Sequence, residues 1–141
     1  MSAEVRTFLD TNVLVYLFDT SAPAKQATAQ AILGAEDAEA TLVISTQVLQ
    51  EFYVTVTRKL ARPLSTEEAE EAVRNLAGLS VVEIDVALVL EAIGRSRKSK
   101  ISLWDALIVE SALADGCERL LSEDLQHGQE FRPLRIENPF R

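Results

Sequence analysis

Short apolar runs of strand length, separated by longer stretches of helical period, limit most strongly what this chain can fold into. Thr7-Phe8-Leu9, Thr41-Leu42-Val43-Ile44, Ser80-Val81-Val82-Glu83-Ile84 and Arg119-Leu120-Leu121 read as strands, and Leu134-Arg135-Ile136, closed off by Pro139, reads as a weaker fifth. The second and fourth carry apolar residues on consecutive positions, which suits strands buried on both faces. Between them, Ala24 to Leu33 is alanine-rich and helical in composition. Thr46 to Leu60 sets Val48, Leu49, Phe52, Val56 and Leu60 on one stripe ahead of Pro63. Ser65-Thr66-Glu67-Glu68 has the form of a capping box for a helix running to about Ala77. Val86 to Arg97 follows, then Leu103 to Asp115 with Gly116 as its stop. Strands that alternate with helices in this way form a parallel sheet, because only a helical crossover returns the chain in the same direction. The predicted fold class is α/β.

The sequence has 141 residues with no internal repeat and no Pro/Gly/Ser-rich linker, so residues 1–141 read as one domain. One cysteine, Cys117, excludes an internal disulfide framework and fits a reducing cytoplasm; it reads as a small buried residue. No apolar run reaches membrane-spanning length, and Met1-Ser2-Ala3-Glu4-Val5-Arg6 lacks the pattern of a secretory leader. A single histidine and a single cysteine exclude a zinc centre built on those ligands. A formal charge of −8 argues against broad electrostatic binding of nucleic acid, though not against a local basic patch or a bound cation. Any metal chemistry must therefore use oxygen ligands.

In parallel α/β sheets ligands collect at the carboxyl ends of the strands. That rule selects Asp10 and Asp124, which follow the first and fourth strands. Glu51, in the helix after the second strand, and Asp105, in the first turn of the helix opening with Ser102-Leu103-Trp104, are expected at the same edge. Four converging carboxylates repel one another unless protons or a cation balance them, and an all-oxygen set suits Mg²⁺ or Mn²⁺. Each residue also has an ordinary local reading. Asp10 could cap the next helix, Glu51 could be a solvated flank, Asp105 could complete a Ser-x-x-Asp capping box, and Asp124 could be an acidic turn in competition with Glu123.

Taken together, Phe8-Leu9-Asp10-Thr11-Asn12-Val13-Leu14, the Glu in the second-strand helix, Leu103-Trp104-Asp105-Ala106-Leu107-Ile108 and Leu121-Ser122-Glu123-Asp124 resemble the PIN-domain family, and within it the VapC-type toxin ribonucleases. The resemblance runs from residue 7 to about 137. It implies a three-layer domain with a five-stranded parallel sheet flanked by helices, and a Mg²⁺- or Mn²⁺-dependent endoribonuclease site. Asp10, Glu51, Asp105 and Asp124 match the family's acidic positions, with Asp10, Asp105 and Asp124 on the metal and Glu51 ligating or orienting water. Asn12 and Ser122 match the polar positions that steady them. The family's pattern further implies an RNA substrate, a homodimer and a cognate antitoxin that covers the site.

A PIN-like domain that binds RNA or a partner without turnover and an RNA-processing nuclease outside a toxin–antitoxin pair are the nearest alternatives. A haloacid-dehalogenase phosphatase would want a second Asp where Asn12 stands. In a receiver module the phosphoacceptor would have to be Asp85, and no fitting Lys follows the fourth strand. Among basic residues, Arg95, Arg97, Lys98 and Lys100 are expected to contact RNA phosphates, with Arg58, Lys59 and Arg62 as a second group, although either could simply complement a helix C-terminus. Removing charge at 95–100 should then weaken RNA binding and flatten its salt dependence. Trp104 is expected to pack at its helix entry, and His127 to face solvent. Glu110 falls outside the proposed site. The Ala24 helix and Tyr16-Leu17-Phe18 fit either core burial or a docking surface.

Overall fold

A computed structural model describes residues 5–141; Met1 to Glu4, part of the segment read for a leader, lie outside the described residues. In chain order the elements are β1 (Thr7–Leu9), α1 (Thr11–Tyr16), α2 (Pro23–Leu33), α3 (Ala38–Thr41), β2 (Leu42–Ser45), α4 (Thr46–Arg58), α5 (Thr66–Leu76), β3 (Ser80–Val82), α6 (Val86–Ser99), α7 (Leu103–Ala114), β4 (Arg119–Leu121), β5 (Glu130–Phe131) and β6 (Leu134–Glu137). The sheet order is β3-β2-β1-β4-β6-β5. The first five strands of that order run parallel, in registers such as Phe8 opposite Val43 and Leu120, and Leu121 opposite Glu137. The predicted five-stranded parallel sheet is therefore present, with one addition. The two-residue β5 pairs antiparallel with β6 as a short hairpin, too brief to leave a periodic signature in the sequence.

Several boundaries differ from the sequence reading, those of β2 and β3 among them. Thr41 ends the short helix α3 rather than opening β2, its Oγ1 donating to the Asp37 carbonyl at 2.9 Å. β3 stops at Val82, not Ile84, and its residues are half-buried because it lies at the edge of the sheet. The consecutive apolar positions of β2 and β4 are explained as expected: Leu42, Val43, Ile44, Leu120 and Leu121 are buried in the core. α1, α2, α4 and α5 pack into one connected group against the sheet, and α6 pairs with α7. Phe18 reaches the core beside Phe52, ring centroids 5.7 Å apart, and Tyr16 meets Phe140 edge-on at 4.8 Å. Tyr16-Leu17-Phe18 thus belongs to the packing, not to a free docking face.

The helix ends follow their caps. Ser45 caps α4 by accepting from Val48 N at 3.3 Å. Ser65 and Glu68 form the reciprocal capping box of α5, at 3.1 and 3.0 Å. Asp85 is the N-cap of α6, its Oδ1 accepting from Leu88 N at 2.9 Å, so it serves a structural end there. α7 ends at Ala114, and Gly116 shortly after it has a φ of 70°, in the left-handed region where a side chain is disfavoured. Just beyond, Cys117 is buried, and burial pushes its thiol up to about 12, which leaves it inert as a nucleophile.

Candidate active site

The chain leaves β1 toward β2 on one side and later returns to place β4 on the other, so the carboxyl ends of β1 and β4 form a switch point. A cleft of about 740 Å³ opens near this edge. Asp10, Glu51, Asp105 and Asp124 all line it, together with Thr11, Asn12, Gln47, Glu123, Trp104 and Ile108. Four elements separated widely in sequence thus bring the four predicted carboxylates to one place.

Asp10 is the deepest of them, 8% exposed. Its two local readings hold at once. Oδ1 accepts from Thr11 N at 2.8 Å, capping α1, while Oδ2 accepts from Ser122 Oγ at 2.7 Å. Burial pushes the Asp10 carboxyl up to about 6; the Ser122 and Thr11 hydrogen bonds pull the other way, and Asp124 and Glu51 add repulsion. Ser122 is fully buried and spends its hydroxyl three ways, also accepting from Asp124 N at 3.1 Å and Leu125 N at 3.2 Å. One side chain therefore joins the end of β1 to the turn after β4.

Asn12 fastens the same turn from the other side. Its Nδ2 donates to Asp124 Oδ2 at 3.1 Å and its Oδ1 accepts from Glu123 N at 3.2 Å. Glu123 itself is drawn away from the carboxylate group. It takes hydrogen bonds from Lys25 Nζ at 2.5 Å and Tyr16 Oη at 2.6 Å. Burial alone would raise its carboxyl, but these two donors outweigh it and hold the group below the usual range. Asp124 is exposed and, among the described residues, is the acid of this turn that forms no ion pair.

Glu51 receives Thr11 Oγ1 at 2.7 Å, a contact that the sequence reading did not foresee. Gln47, one turn earlier on α4, adds a long contact to Glu51 Oε2 at 3.4 Å and another to the Trp104 carbonyl at 3.3 Å, while its buried Oε1 has no protein partner. Thr11 is thus the firmer anchor. The signal for Gln47 was its i, i+4 spacing to Glu51. Ser102 caps α7 by accepting from Asp105 N at 3.0 Å, as its motif predicts, and the Asp105 side chain still lines the cleft. Burial raises the Asp105 carboxyl, partly offset by Ser102 and reinforced by Asp124 and Glu51.

Among the described residues no three His, Cys, Asp or Glu side chains close up into a ready ligand set. The donors nevertheless fit a hard cation. They are all oxygens, and among the described residues lining the cleft Lys59 alone carries an opposing charge. Mg²⁺ also usually keeps several waters rather than demanding an all-protein cage.

The basic groups are placed differently from expectation. Arg95 is not a free phosphate contact: its Nε donates to the buried Glu110 at 2.7 Å, and its guanidinium lies 5.5 Å from the centre of the Phe131 ring. Glu110 is accordingly engaged away from the cleft. Arg97, Lys98 and Lys100 are exposed at the end of α6 but do not line the cleft, nor do Arg58 and Arg62. Lys59 is the one basic side chain among its described lining residues. Replacing Arg95 by Ala would strand Glu110 in a poorly hydrated place. Arg95→Ala is expected to cost about 1–3 kcal/mol in thermal unfolding while leaving the salt dependence of RNA binding unchanged. A flattened salt slope without a stability loss would contradict that assignment.

Trp104 also departs from expectation. It is 63% exposed and stands on the cleft wall instead of packing at the helix entry. His127 is exposed in its loop as read, with Nδ1 accepting from Asn138 N at 3.0 Å.

The PIN domain family model matches residues 7–129. The chain belongs to the PIN domain family. Solved structures of similar fold include a toxin–antitoxin complex from Klebsiella pneumoniae, at TM-score 0.70 and 18% identity, covering 94% of this chain and 97% of that one. A sarcin–ricin-loop-cleaving VapC toxin from Mycobacterium tuberculosis aligns at TM-score 0.61 and 18% identity, over 81% and 86% of the two chains. DNA-bound VapBC from Salmonella typhimurium aligns at 0.64 and 16%, over 96% and 99%. No curated protein sequence matches the chain. The PIN fold is therefore shared with these proteins at low identity, and no helix among the described residues is long and apolar enough to cross a membrane.

Proposed function

We propose that this PIN domain is a Mg²⁺- or Mn²⁺-dependent endoribonuclease, the toxin of a toxin–antitoxin pair. The observation that carries the reading is one cleft lined by Asp10, Glu51, Asp105 and Asp124, with the most buried of them tied across the sheet by Ser122. Support also comes from similar solved structures described as a toxin–antitoxin complex and as a sarcin–ricin-loop-cleaving toxin.

Asp10, Asp105 and Asp124 would hold the cation, directly or through water. Bound there, Mg²⁺ or Mn²⁺ supplies Lewis acidity toward water and toward the phosphate oxygens. The protein does the positioning. Ser122 and Thr11 N fix both oxygens of Asp10, and Asn12 aims Asp124. Glu51, anchored by Thr11 Oγ1, orients the attacking water and accepts its proton. With water as nucleophile the RNA 2′-hydroxyl is not needed, so the products are a 5′-phosphate and a 3′-hydroxyl. Arg97, Lys98 and Lys100, just upstream of the helix that carries Asp105, give RNA phosphates exposed charge outside the cleft.

The fold leaves two apolar surfaces for protein partners. Val86, Leu90 and Ile93 form an exposed i, i+4, i+7 stripe on α6, where we place the homodimer contact. Leu90→Glu is expected to turn the dimer into a monomer in light scattering; a dimer unaffected by that charge would put the contact elsewhere. A second groove, lined by Leu49, Tyr53 and Val73, shares Gln50 and Val54 with the acidic cleft. An antitoxin segment seated in it would lie against the carboxylates.

The test is cleavage of RNA by the purified chain with Mg²⁺ or Mn²⁺ and with EDTA. Metal-dependent cleavage leaving 5′-phosphates supports the reading. Ends of the 2′,3′-cyclic type would sink it. Silencing by a co-purifying small protein would distinguish a toxin from an RNA-processing nuclease.

A further inference from the structure

We infer that the indole of Trp104 is a stacking platform for an unpaired RNA base beside the bond that is cut, an inference that rests on the nuclease reading above and narrows its substrate to single-stranded or looped RNA. Trp104 and Asp105 are consecutive in the first turn of α7, and both line the cleft. Consecutive helical side chains diverge by about 100°, yet these two border the same cleft, so a base resting on the indole lies in the cleft that holds the acidic group.

Three observations lead here. First, Trp104 is 63% exposed and its own helix turn offers it no cover, although Ser102 caps that turn firmly. Second, the cleft lining is not acidic throughout. Val54 on α4, 45% exposed, offers apolar surface in the same cleft. Third, the electrostatics leave a deficit. The sequence carries a net charge of −8, and Lys59 is the one cation among the described residues lining the cleft. Lys59 alone gives RNA phosphates little attraction within the cleft, and a contact independent of charge adds to what the exposed Arg97, Lys98 and Lys100 supply outside it. Stacking of bases on aromatic rings is the usual source of such affinity, and it requires bases that are not paired.

The sequence contains one tryptophan, which makes the test direct. Trp104 emission would be followed in the Asp10→Asn variant, with Mg²⁺, as an unlabelled single-stranded RNA oligonucleotide and the duplex of the same sequence are added. Anisotropy of a labelled oligonucleotide would report binding separately. The inference expects solvated-indole emission in the protein alone, and quenching by the single strand but not by the duplex. Trp104→Leu is expected to weaken single-strand binding about 10-fold at low and high salt alike, whereas Trp104→Phe retains most of it. Because the side chain is exposed, thermal unfolding of Trp104→Leu should match the parent, which excludes a folding defect.

RNA binding without a change in emission, with Trp104→Leu binding as well as the parent, would overturn the platform and leave the nuclease reading standing. Emission already shifted to short wavelength in the protein alone would also overturn it, by showing the indole covered by a second protein chain. Absence of both RNA cleavage by the unsubstituted protein and RNA binding would overturn the platform together with the nuclease reading.

Discussion

Asp10→Asn is expected to reduce metal-dependent RNA cleavage roughly 100-fold or more while raising the thermal stability of the metal-free protein at neutral pH. The two effects have one origin. The Asp10 carboxyl is buried, and its ionised form is disfavoured in the fold, with a pKa raised from 3.8 to about 6. An amide of the same shape carries no charge to desolvate, and its oxygen can still accept from Thr11 N. The full gain, about 3 kcal/mol from the size of that shift, will not be reached. Ser122 Oγ already accepts from two backbone N–H groups and donates its proton to Asp10, so an amide N–H facing it is poorly matched. A gain of about 1 kcal/mol is the realistic expectation. Loss of cleavage with equal or greater stability, measured by thermal unfolding and gel assay, identifies Asp10 as part of the chemistry. Loss of both would reduce it to a structural cap.

The second large effect is on pH. A carboxyl whose folded pKa is raised binds its proton more tightly when folded, so the fold is favoured at low pH and penalised once the group must ionise. For Asp10 the metal-free protein therefore keeps its full stability below about pH 4 and loses up to about 3 kcal/mol as pH rises through 6. Asp105 shifts in the same direction and adds to the trend. A divalent cation reverses it, because cation and protons compete for the same oxygens. The increase in melting temperature on adding Mg²⁺ should thus be small near pH 5 and several degrees near pH 7.5, on a scale of roughly 2–4 °C per kcal/mol. An equal increase at both pH values would mean that the ion binds away from Asp10.

Much of the site was legible because its parts lie at strand ends and helix starts, where local patterns are strong. Asp10 and Ser122-Glu123-Asp124 close strands whose apolar residues mark them, and Ser102 announces the helix that presents Asp105. What local pattern could not carry was partner choice across the sheet. Glu123 and Asp124 are adjacent at the cleft, and nothing in their sequence says that Lys25 and Tyr16 claim the first and not the second. Arg95 looked like one member of a basic run, yet its partner Glu110 sits on the neighbouring helix. Trp104 shows the same limit from the other side: exposure is set by what fails to pack on a residue. The hairpin strand β5 escaped notice because two residues have no period.

The bond between Ser122 and Asp10 spans 112 positions of the chain. β1 is made early but finds β4 only after α7 has been synthesised, and Asp124 comes three residues after β4 ends. Long-range parallel pairing of this kind is late and slow to form. A growing chain on the ribosome consequently carries Asp10 without its partner Ser122 until β4 has been made and paired with β1, so on the nuclease reading proposed above any cleavage waits for that pairing.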